Sequence, residues 1–273
     1  MINRRTITAA TKLCAIIGNP IEHSLSPHIH NAAFEHLKLD YVFLAFKVEH
    51  VRKAMEGMRA LGIQGMSVTI PHKIEVMKYL DEVEEGAQRI GAINTIVNRD
   101  GRLVGYNTDC SGAIRALEER VNLKDKKTVL LGAGGAARAI AFGLKEQGAR
   151  VAILNRTVKK AEVLAKELGC EFGSIEQVAS YTPDILINTT SLGMYPHPDE
   201  TPVKKEMLKD MLVFDSVYNP LKTRLIREAQ ENGCATILGL EMFVNQAALQ
   251  FELWTGEKAP LEIMKKVVVE KLS

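Results

Sequence analysis

The segment at residues 128–157, TVLLGAGGAARAIAFGLKEQGARVAILNRT, constrains the fold more than any other part of the sequence. An apolar run leads into Gly132, Gly134 and Ala137, which have the G-x-G-x-x-G/A spacing, and a helical pattern begins at once. Glycines permit a tight turn and a close approach of a pyrophosphate to the backbone, and the helix N-terminus attracts the anion. Because one strand precedes the turn and another follows the helix, the pattern predicts a dinucleotide-binding unit rather than a plain glycine-rich turn.

The end of the second strand discriminates between the two nicotinamide dinucleotides. A protein that binds NAD usually has Asp or Glu there, about 20 residues after the glycines, to bind the ribose 2′-hydroxyl. This sequence has Asn155, Arg156 and Thr157, followed by Lys159 and Lys160. A guanidinium can bind a 2′-phosphate that an acidic residue would repel, so the segment favours NADP. The alternative interpretation of Arg156 is an ordinary surface arginine.

Strand-like and helix-like patterns alternate along most of the chain, which predicts two α/β domains with largely parallel sheets and a cleft between them. In the first part the sequence predicts strands at 12–18, 41–48 and 65–70, helices at 26–39, 49–61 and 73–83, and a hairpin at 94–107 around Asp100-Gly101. A helix at 110–121 and a polar, lysine-rich linker at 122–127 follow. The second part has predicted strands at 128–133, 150–155, 184–190, 212–218 and 235–239, then two tail helices at 240–256 and 259–272.

Composition excludes several classes of protein. The net charge of +2 gives no reason to expect a nucleic-acid or membrane-surface partner. The four cysteines are widely separated, so they indicate neither a disulfide framework nor a metal site. No run approaches the ~20 apolar residues of a membrane span. We therefore expect a soluble, cytoplasmic protein.

Polar residues cluster where predicted strands end in the first half. SVTIPHK (67–73) places Lys73 just beyond an apolar strand, where a solvated lysine that opens a helix is the simplest interpretation. Ser24 and Ser26 precede a helix and could meet a carboxylate or cap the helix, and Asp109 could likewise be a helix cap. Asn94 immediately precedes the hairpin.

Taken in order, these motifs resemble those of the shikimate dehydrogenase family, and the resemblance extends over essentially the whole chain. The motifs are HSLSP, SVTIPHK, GAINT, YNTD, GAGGAARA, NRT, NTTSLGM, DSVYNP and GLEMFVNQA. The resemblance implies an α/β substrate-binding domain at 1–112, completed by C-terminal helices at 243–273 that return to it. It further implies a Rossmann-like NADP domain at 113–242.

The resemblance also implies an activity, the NADPH-dependent, reversible reduction of 3-dehydroshikimate to shikimate, and it assigns a role to each matching position. The catalytic pair would be Lys73 and Asp109. Substrate would be bound by Ser24, Ser26, Thr69, Lys73, Asn94, Asp109, Tyr218 and Gln246. NADP would be bound by Gly132, Ala133, Gly134, Gly135, Ala136, Asn155, Arg156, Thr157, Lys160, Val217 and Gly239. At one position, Ser67, the chain departs from the asparagine that is common in the family.

Besides an enzyme of another pathway that shares the two-domain architecture, two alternatives to this activity stay open at the sequence level. One is a quinate/shikimate dehydrogenase with broader substrate or cofactor use. The other is a nucleotide-binding regulator without catalysis, which would be expected to have lost Lys73 or Asp109. The expected partner is the small-molecule substrate, with no metal, nucleic acid or membrane, and the sequence is compatible with a monomer or a homodimer.

Overall fold

The structure, a computed structural model, describes residues 6–272, and the chain divides into two compact units. One comprises the chain up to Thr108 together with Ala247–Lys271, and the other comprises Asp109–Gln246. The predicted domain boundaries at 112 and 243 differ from this division by four residues each, 112 against 108 and 243 against 247. None of the helices in the described part of the chain has the length and apolar character that crossing a membrane requires.

The first unit contains a six-stranded mixed sheet in the order β2-β1-β3-β5-β6-β4. Its strands are β1 Lys12–Gly18, β2 Tyr41–Lys47, β3 Gly65–Val68, β4 Glu82–Val83, β5 Thr95–Arg99 and β6 Arg102–Tyr106, and its helices are α1 Ser26–His36, α2 Val51–Ala60 and α3 Glu85–Ile90. Strand β1 pairs in parallel with β2 and β3, whereas β5 runs antiparallel to β3 and β6. The predicted hairpin is present, because Asp100 and Gly101 supply the positive φ angles, 51° and 91°, that its tight turn requires.

The predicted helix at 73–83 is wrong. Residues 71–74 form a turn, Glu75–Tyr79 form a 3-10 helix, and Glu82–Val83 join the edge of the sheet as β4. Only Val76 of the 3-10 helix is fully buried, so this segment lacks the continuous apolar face that stabilises an α-helix. Lys73 therefore lies in a turn and does not open an α-helix.

The second unit contains a six-stranded, all-parallel sheet in the order β12-β11-β10-β7-β8-β9. Its strands are β7 Lys127–Leu131, β8 Arg150–Asn155, β9 Glu171–Ser174, β10 Ile185–Asn188, β11 Leu212–Asp215 and β12 Ala235–Ile237. Its helices are α4 Thr108–Glu118, which begins at the last residue of the first unit, α5 Gly135–Glu146, α6 Val158–Leu168, α7 Val178–Tyr181 and α8 Arg224–Glu231, with 3-10 turns at Ile175–Gln177 and Lys205–Met207. This strand order is that of the Rossmann fold, and its order reverses between β7 and β10.

Two features of the second unit differ from the sequence prediction. The edge strand β9 was not predicted, because its short, half-exposed EFGS sequence lacks an apolar run. The predicted linker at 122–127 lies inside the second unit and connects α4 to β7. Leu123 within it is buried in the core between the sheet and its helices.

The two tail helices, α9 Gly239–Thr255 and α10 Leu261–Leu272, follow β12. Trp254 of α9 packs directly over Gly65, where a Cβ atom would lie 2.3 Å from the indole ring. The Trp254 indole N–H donates to the carbonyl oxygen of Ile96 at 3.0 Å. The predicted return of the C-terminal helices to the first domain is thus confirmed.

Candidate active site

In the first unit, the predicted residues Thr69, Lys73 and Asn94 lie at one edge of the sheet. The Val68 N–H donates to the Asn94 carbonyl at 2.8 Å, and the Ile93 N–H donates to the Lys73 carbonyl at 2.9 Å. These two hydrogen bonds hold the turn after β3 against the residues that lead into β5. The backbones of Thr69, Lys73 and Asn94 therefore lie close together at this edge of the sheet.

The turn that carries Lys73 is also fixed from its other side. His72 is buried, and its Nε2 lies 2.8 Å from the Val48 carbonyl oxygen. The His72 N–H donates to the Thr69 carbonyl at 3.0 Å. Lys73 itself is half-buried, and hydrogen bonds of the neighbouring backbone fix the turn that carries it.

Ser24 and Ser26 follow β1, whose C-terminal end lies at the same sheet edge as that of β3 because the two strands are parallel. Neither serine is the N-cap of α1, a position that Leu25 occupies without a side-chain cap. The Ser26 N–H donates to the Ser24 hydroxyl at 3.3 Å. The Ser24 hydroxyl therefore closes a local turn at the start of α1.

In the second unit, the glycine-rich turn is at the position that the dinucleotide motif requires. Gly132 has φ +112°, and a Cβ atom there would lie 2.5 Å from the Thr189 hydroxyl. Gly134 is the N-cap of α5, and no atom lies within 4 Å of its would-be Cβ. Space is therefore open beside the helix N-terminus, where backbone N–H groups bind anions.

The residues predicted to bind the 2′-phosphate lie beside this turn. The Gly132 N–H donates to the Leu154 carbonyl at 2.8 Å, which places the glycine turn next to Asn155 at the end of β8. The Asn155 amide donates to the Thr157 carbonyl at 3.0 Å and shapes the start of α6. Arg156, Thr157 and Lys160 are exposed.

The remaining predicted residues meet around the first half of α9. Gly239 packs so closely on Val217 that a Cβ atom on this glycine would lie 2.4 Å from the Val217 carbonyl oxygen. Tyr218 stacks on Phe243 with ring centroids 4.4 Å apart. The start of α9 also packs on α4, whose first turn contains Asp109.

The contact between α4 and α9 depends on a glycine. A Cβ on Gly112 would lie 2.8 Å from the Gln246 backbone nitrogen, and the Asn245 amide donates to the Gly112 carbonyl at 3.4 Å. Asp109 and Gln246 are 6% and 8% exposed, so both polar groups are held within packed surroundings. Asp109 lies in the first turn of α4, one residue after the helix begins.

Sequence reasoning assigned no role to a buried carboxylate that organises this region. Asp215, fully buried at the end of β11, accepts hydrogen bonds from the Thr223 hydroxyl at 2.6 Å and from the Val217 N–H and the Asn188 amide at 3.0 Å each. Burial raises the pKa of Asp215 to about 6, against these stabilising hydrogen bonds. The sequence signal that could have identified Asp215 is an acidic residue directly after the apolar run LVF.

No metal site was predicted, and the described residues contain no group of three or more His, Cys, Asp or Glu side chains that could hold a metal ion.

Three models of known families match successive parts of the chain. Residues 16–96 match the shikimate dehydrogenase substrate-binding domain, residues 115–215 match shikimate/quinate 5-dehydrogenase, and residues 239–269 match the shikimate 5′-dehydrogenase C-terminal domain. A shikimate dehydrogenase (NADP(+)) from Methanocaldococcus jannaschii is 48% identical, over 98% of this chain and 99% of the relative. The chain belongs to the shikimate dehydrogenase family.

Solved structures of other shikimate dehydrogenases have the same fold. A crystal structure of a shikimate dehydrogenase in complex with NADP+ has a TM-score of 0.94 at 48% identity and covers 98% of each chain. The shikimate 5-dehydrogenase of Thermus thermophilus, in complex with NADP(H) and shikimate, has a TM-score of 0.88 at 36% identity and covers 95% of this chain and 99% of its own.

Proposed function

We propose that this protein is an oxidoreductase that catalyses the NADP-dependent, reversible reduction of 3-dehydroshikimate to shikimate, a step in aromatic amino-acid biosynthesis. The observation that carries the proposal is the Lys73 turn, which backbone hydrogen bonds fix beside Asn94 at the sheet edge. The activities named for relatives that match nearly the full chain support it. In this proposal Ser24 and Ser26 bind the substrate carboxylate, whereas Thr69, Asn94, Asp109, Tyr218 and Gln246 bind its hydroxyls or neighbouring groups.

The second unit fits NADP. The open space beside Gly134, the positive φ of Gly132 and the parallel strand order all suit a pyrophosphate at the N-terminus of α5. Gly132, Ala133, Gly134, Gly135 and Ala136 would hold the pyrophosphate, Asn155, Arg156, Thr157 and Lys160 the 2′-phosphate, and Val217 and Gly239 the nicotinamide. When bound, the cofactor supplies or takes up the hydride.

The proton chemistry belongs to Lys73. Addition of hydride to a ketone carbon leaves negative charge on the oxygen, and an ammonium within hydrogen-bond reach stabilises that charge and donates the proton. In the reverse direction the neutral amine accepts the hydroxyl proton. We assign Asp109 as the partner of Lys73, so that the proton equilibrium belongs to the pair.

A matrix of assays on the purified protein tests the proposal: shikimate or quinate against NADP or NAD, with formation of reduced nicotinamide as the signal. Strong turnover with shikimate and NADP alone is the expected result. Comparable turnover with quinate or NAD would instead assign broader specificity. A folded protein that binds NADP and turns over no substrate would favour a regulatory role. The cytoplasmic location and the monomeric or homodimeric state stay predictions, which cell fractionation and light scattering would test.

A further inference from the structure

A buried polar network in the first unit joins the C-terminal helix α9 to the residues around Asn94. Its five side chains are each at most 4% exposed: Ser67, Asn94, Thr95, Thr108 and Gln250. Of these, only Asn94 was predicted to bind substrate. The other four have no role in the reaction as proposed above.

Gln250 lies at the centre of this network. The Ser67 hydroxyl donates to the Gln250 side-chain oxygen at 2.7 Å. The Gln250 amide nitrogen donates to the Asn94 carbonyl at 3.2 Å and to the Thr95 hydroxyl at 3.0 Å. Because the Gln250 amide oxygen accepts the Ser67 hydroxyl, the Gln250 amide nitrogen points toward Asn94 and Thr95.

From Thr95 the network continues to the Asn94 side chain. The Thr95 hydroxyl donates to the Asn94 side-chain oxygen at 2.8 Å, and that oxygen also accepts the Thr108 N–H at 2.7 Å. The Asn94 amide nitrogen donates to the Thr108 hydroxyl at 2.9 Å. The Asn94 side chain is therefore held from two sides: by the Thr95 hydroxyl, which Gln250 contacts, and by Thr108, which begins α4 immediately before Asp109.

We infer that Gln250 is a positioning residue for substrate binding: through Thr95 and the Asn94 carbonyl it fixes the Asn94 side chain and the start of α4. The inference rests on the proposed function and extends it to a residue outside the substrate-binding set. Ser67, where the chain departs from the family, takes a defined part in it, because its hydroxyl selects the orientation of the Gln250 amide.

Gln250→Met tests the inference, since methionine keeps the length of the side chain and removes both the acceptor and the donors. We expect the KM for shikimate to rise about tenfold, because buried partners lose their hydrogen bonds and Asn94 loses its fixed orientation. The KM for NADP should stay within about twofold, because all five residues of the network belong to the first unit, whereas the proposed cofactor residues belong to the second.

Asn98→Ala is the matched control. Asn98 lies in the same strand as Thr95, toward the hairpin, and its side chain makes two hydrogen bonds, to the Ile63 carbonyl and from the Gly101 N–H. This variant should lower the melting temperature comparably and leave both KM values unchanged. Equal KM changes in the two variants, or an unchanged shikimate KM in folded Gln250→Met, would overturn the inference.

Ser67→Ala adds a second, smaller perturbation and serves alone if Gln250→Met does not fold. We expect it to raise the shikimate KM by about threefold, and to add nothing further in the double variant with Gln250→Met, since both act through one chain of hydrogen bonds. Full additivity in the double variant, or no effect of Ser67→Ala, would contradict this. If the wild-type protein is active and Gln250→Met leaves the shikimate KM unchanged, the inference alone is wrong. If the wild-type protein neither binds nor oxidises shikimate, the proposed function is wrong as well.

Discussion

At the scale of single residues, Lys73 carries a half-buried ammonium on a turn that backbone hydrogen bonds fix. We expect Lys73→Ala to lower kcat by about 10²- to 10⁴-fold, the usual cost of a lost acid–base group. The dissociation constant of NADPH should stay nearly unchanged, because the cofactor residues belong to the other unit. Steady-state kinetics and a fluorescence titration of NADPH measure the two quantities.

The control for this variant is Lys78→Ala, which removes an exposed lysine from the adjacent 3-10 helix. It should retain wild-type kinetics. Near-normal turnover in Lys73→Ala would remove this lysine from the mechanism.

Arg156 carries the prediction of cofactor preference. Loss of a charge-assisted contact to the 2′-phosphate in Arg156→Ala should raise the KM for NADP about tenfold or more and leave the KM for NAD within about twofold. Lys159→Ala is the comparison, since the Lys159 ammonium already lies 3.0 Å from Glu162. If Arg156→Ala affected both cofactors equally, the 2′-phosphate role would be refuted.

At the scale of elements, the turn between β7 and α5 depends on the glycine at its start. Gly132→Ala would add a Cβ atom 2.5 Å from the Thr189 hydroxyl at φ +112°, so the turn must distort. We expect NADP affinity to fall by at least about tenfold, measured by calorimetry, because the anion-binding N–H groups of α5 follow directly.

Gly169→Ala separates this effect from backbone strain. Gly169 ends α6 at φ +64° in the same unit, with no atom within 4 Å of its would-be Cβ. Its replacement should cost about 1 kcal/mol of stability and leave NADP affinity unchanged. A similar loss of affinity in both variants would assign the effect to strain rather than to the turn.

The elements predicted best from the sequence are those whose pattern is local. The hairpin at Asp100-Gly101 and the strand–turn–helix–strand unit from β7 to β8 follow from turn residues and apolar runs a few positions apart. The segment after Pro71 was predicted as a helix and forms a 3-10 helix and a short strand, because pairing of Glu82–Val83 with β6 overrides a helical pattern. The half-exposed strand β9 is stabilised by its pairing with β8, which no local signal reports.

Within the site, ordered motifs identified the residues that were expected to touch ligands, but not the buried residues that hold them. Asp215 and Gln250 each make hydrogen bonds whose partners are distant in sequence or lie on another element. A single sequence contains no signal for such pairs, because their positions depend on how elements pack. The sequence therefore suffices to propose residues that touch ligands, but not to predict the hydrogen bonds that support them.

At the scale of the whole molecule, the two units should respond oppositely to acid. In the first unit, burial among Phe43 and Trp254 lowers the pKa of His30 from 6.5 to about 3. The unfolded chain then takes up a proton below about pH 6.5 that the folded unit excludes, so the stability of the first unit falls as pH falls.

In the second unit, burial raises the pKa of Asp215 from 3.8 to about 6. The folded unit therefore takes up the proton before the unfolded chain does, and its stability rises as pH falls through 6.

Between pH 7 and pH 5, linkage gives a loss of about 2 kcal/mol through His30 and a gain of about 1 kcal/mol through Asp215. Guanidinium unfolding measures the first effect, because Trp254 is the single tryptophan and its ring lies 5.1 Å from that of His30. Native-state hydrogen exchange of β10 and β11 peptides, corrected for the intrinsic exchange rate, measures the effect of Asp215.

Asp215→Asn should abolish the pH response of hydrogen exchange in those peptides and leave the fluorescence transition as it is. His30→Leu should abolish the pH response of the fluorescence transition and leave hydrogen exchange as it is. A pH response that survives its own variant would assign the titration to another group.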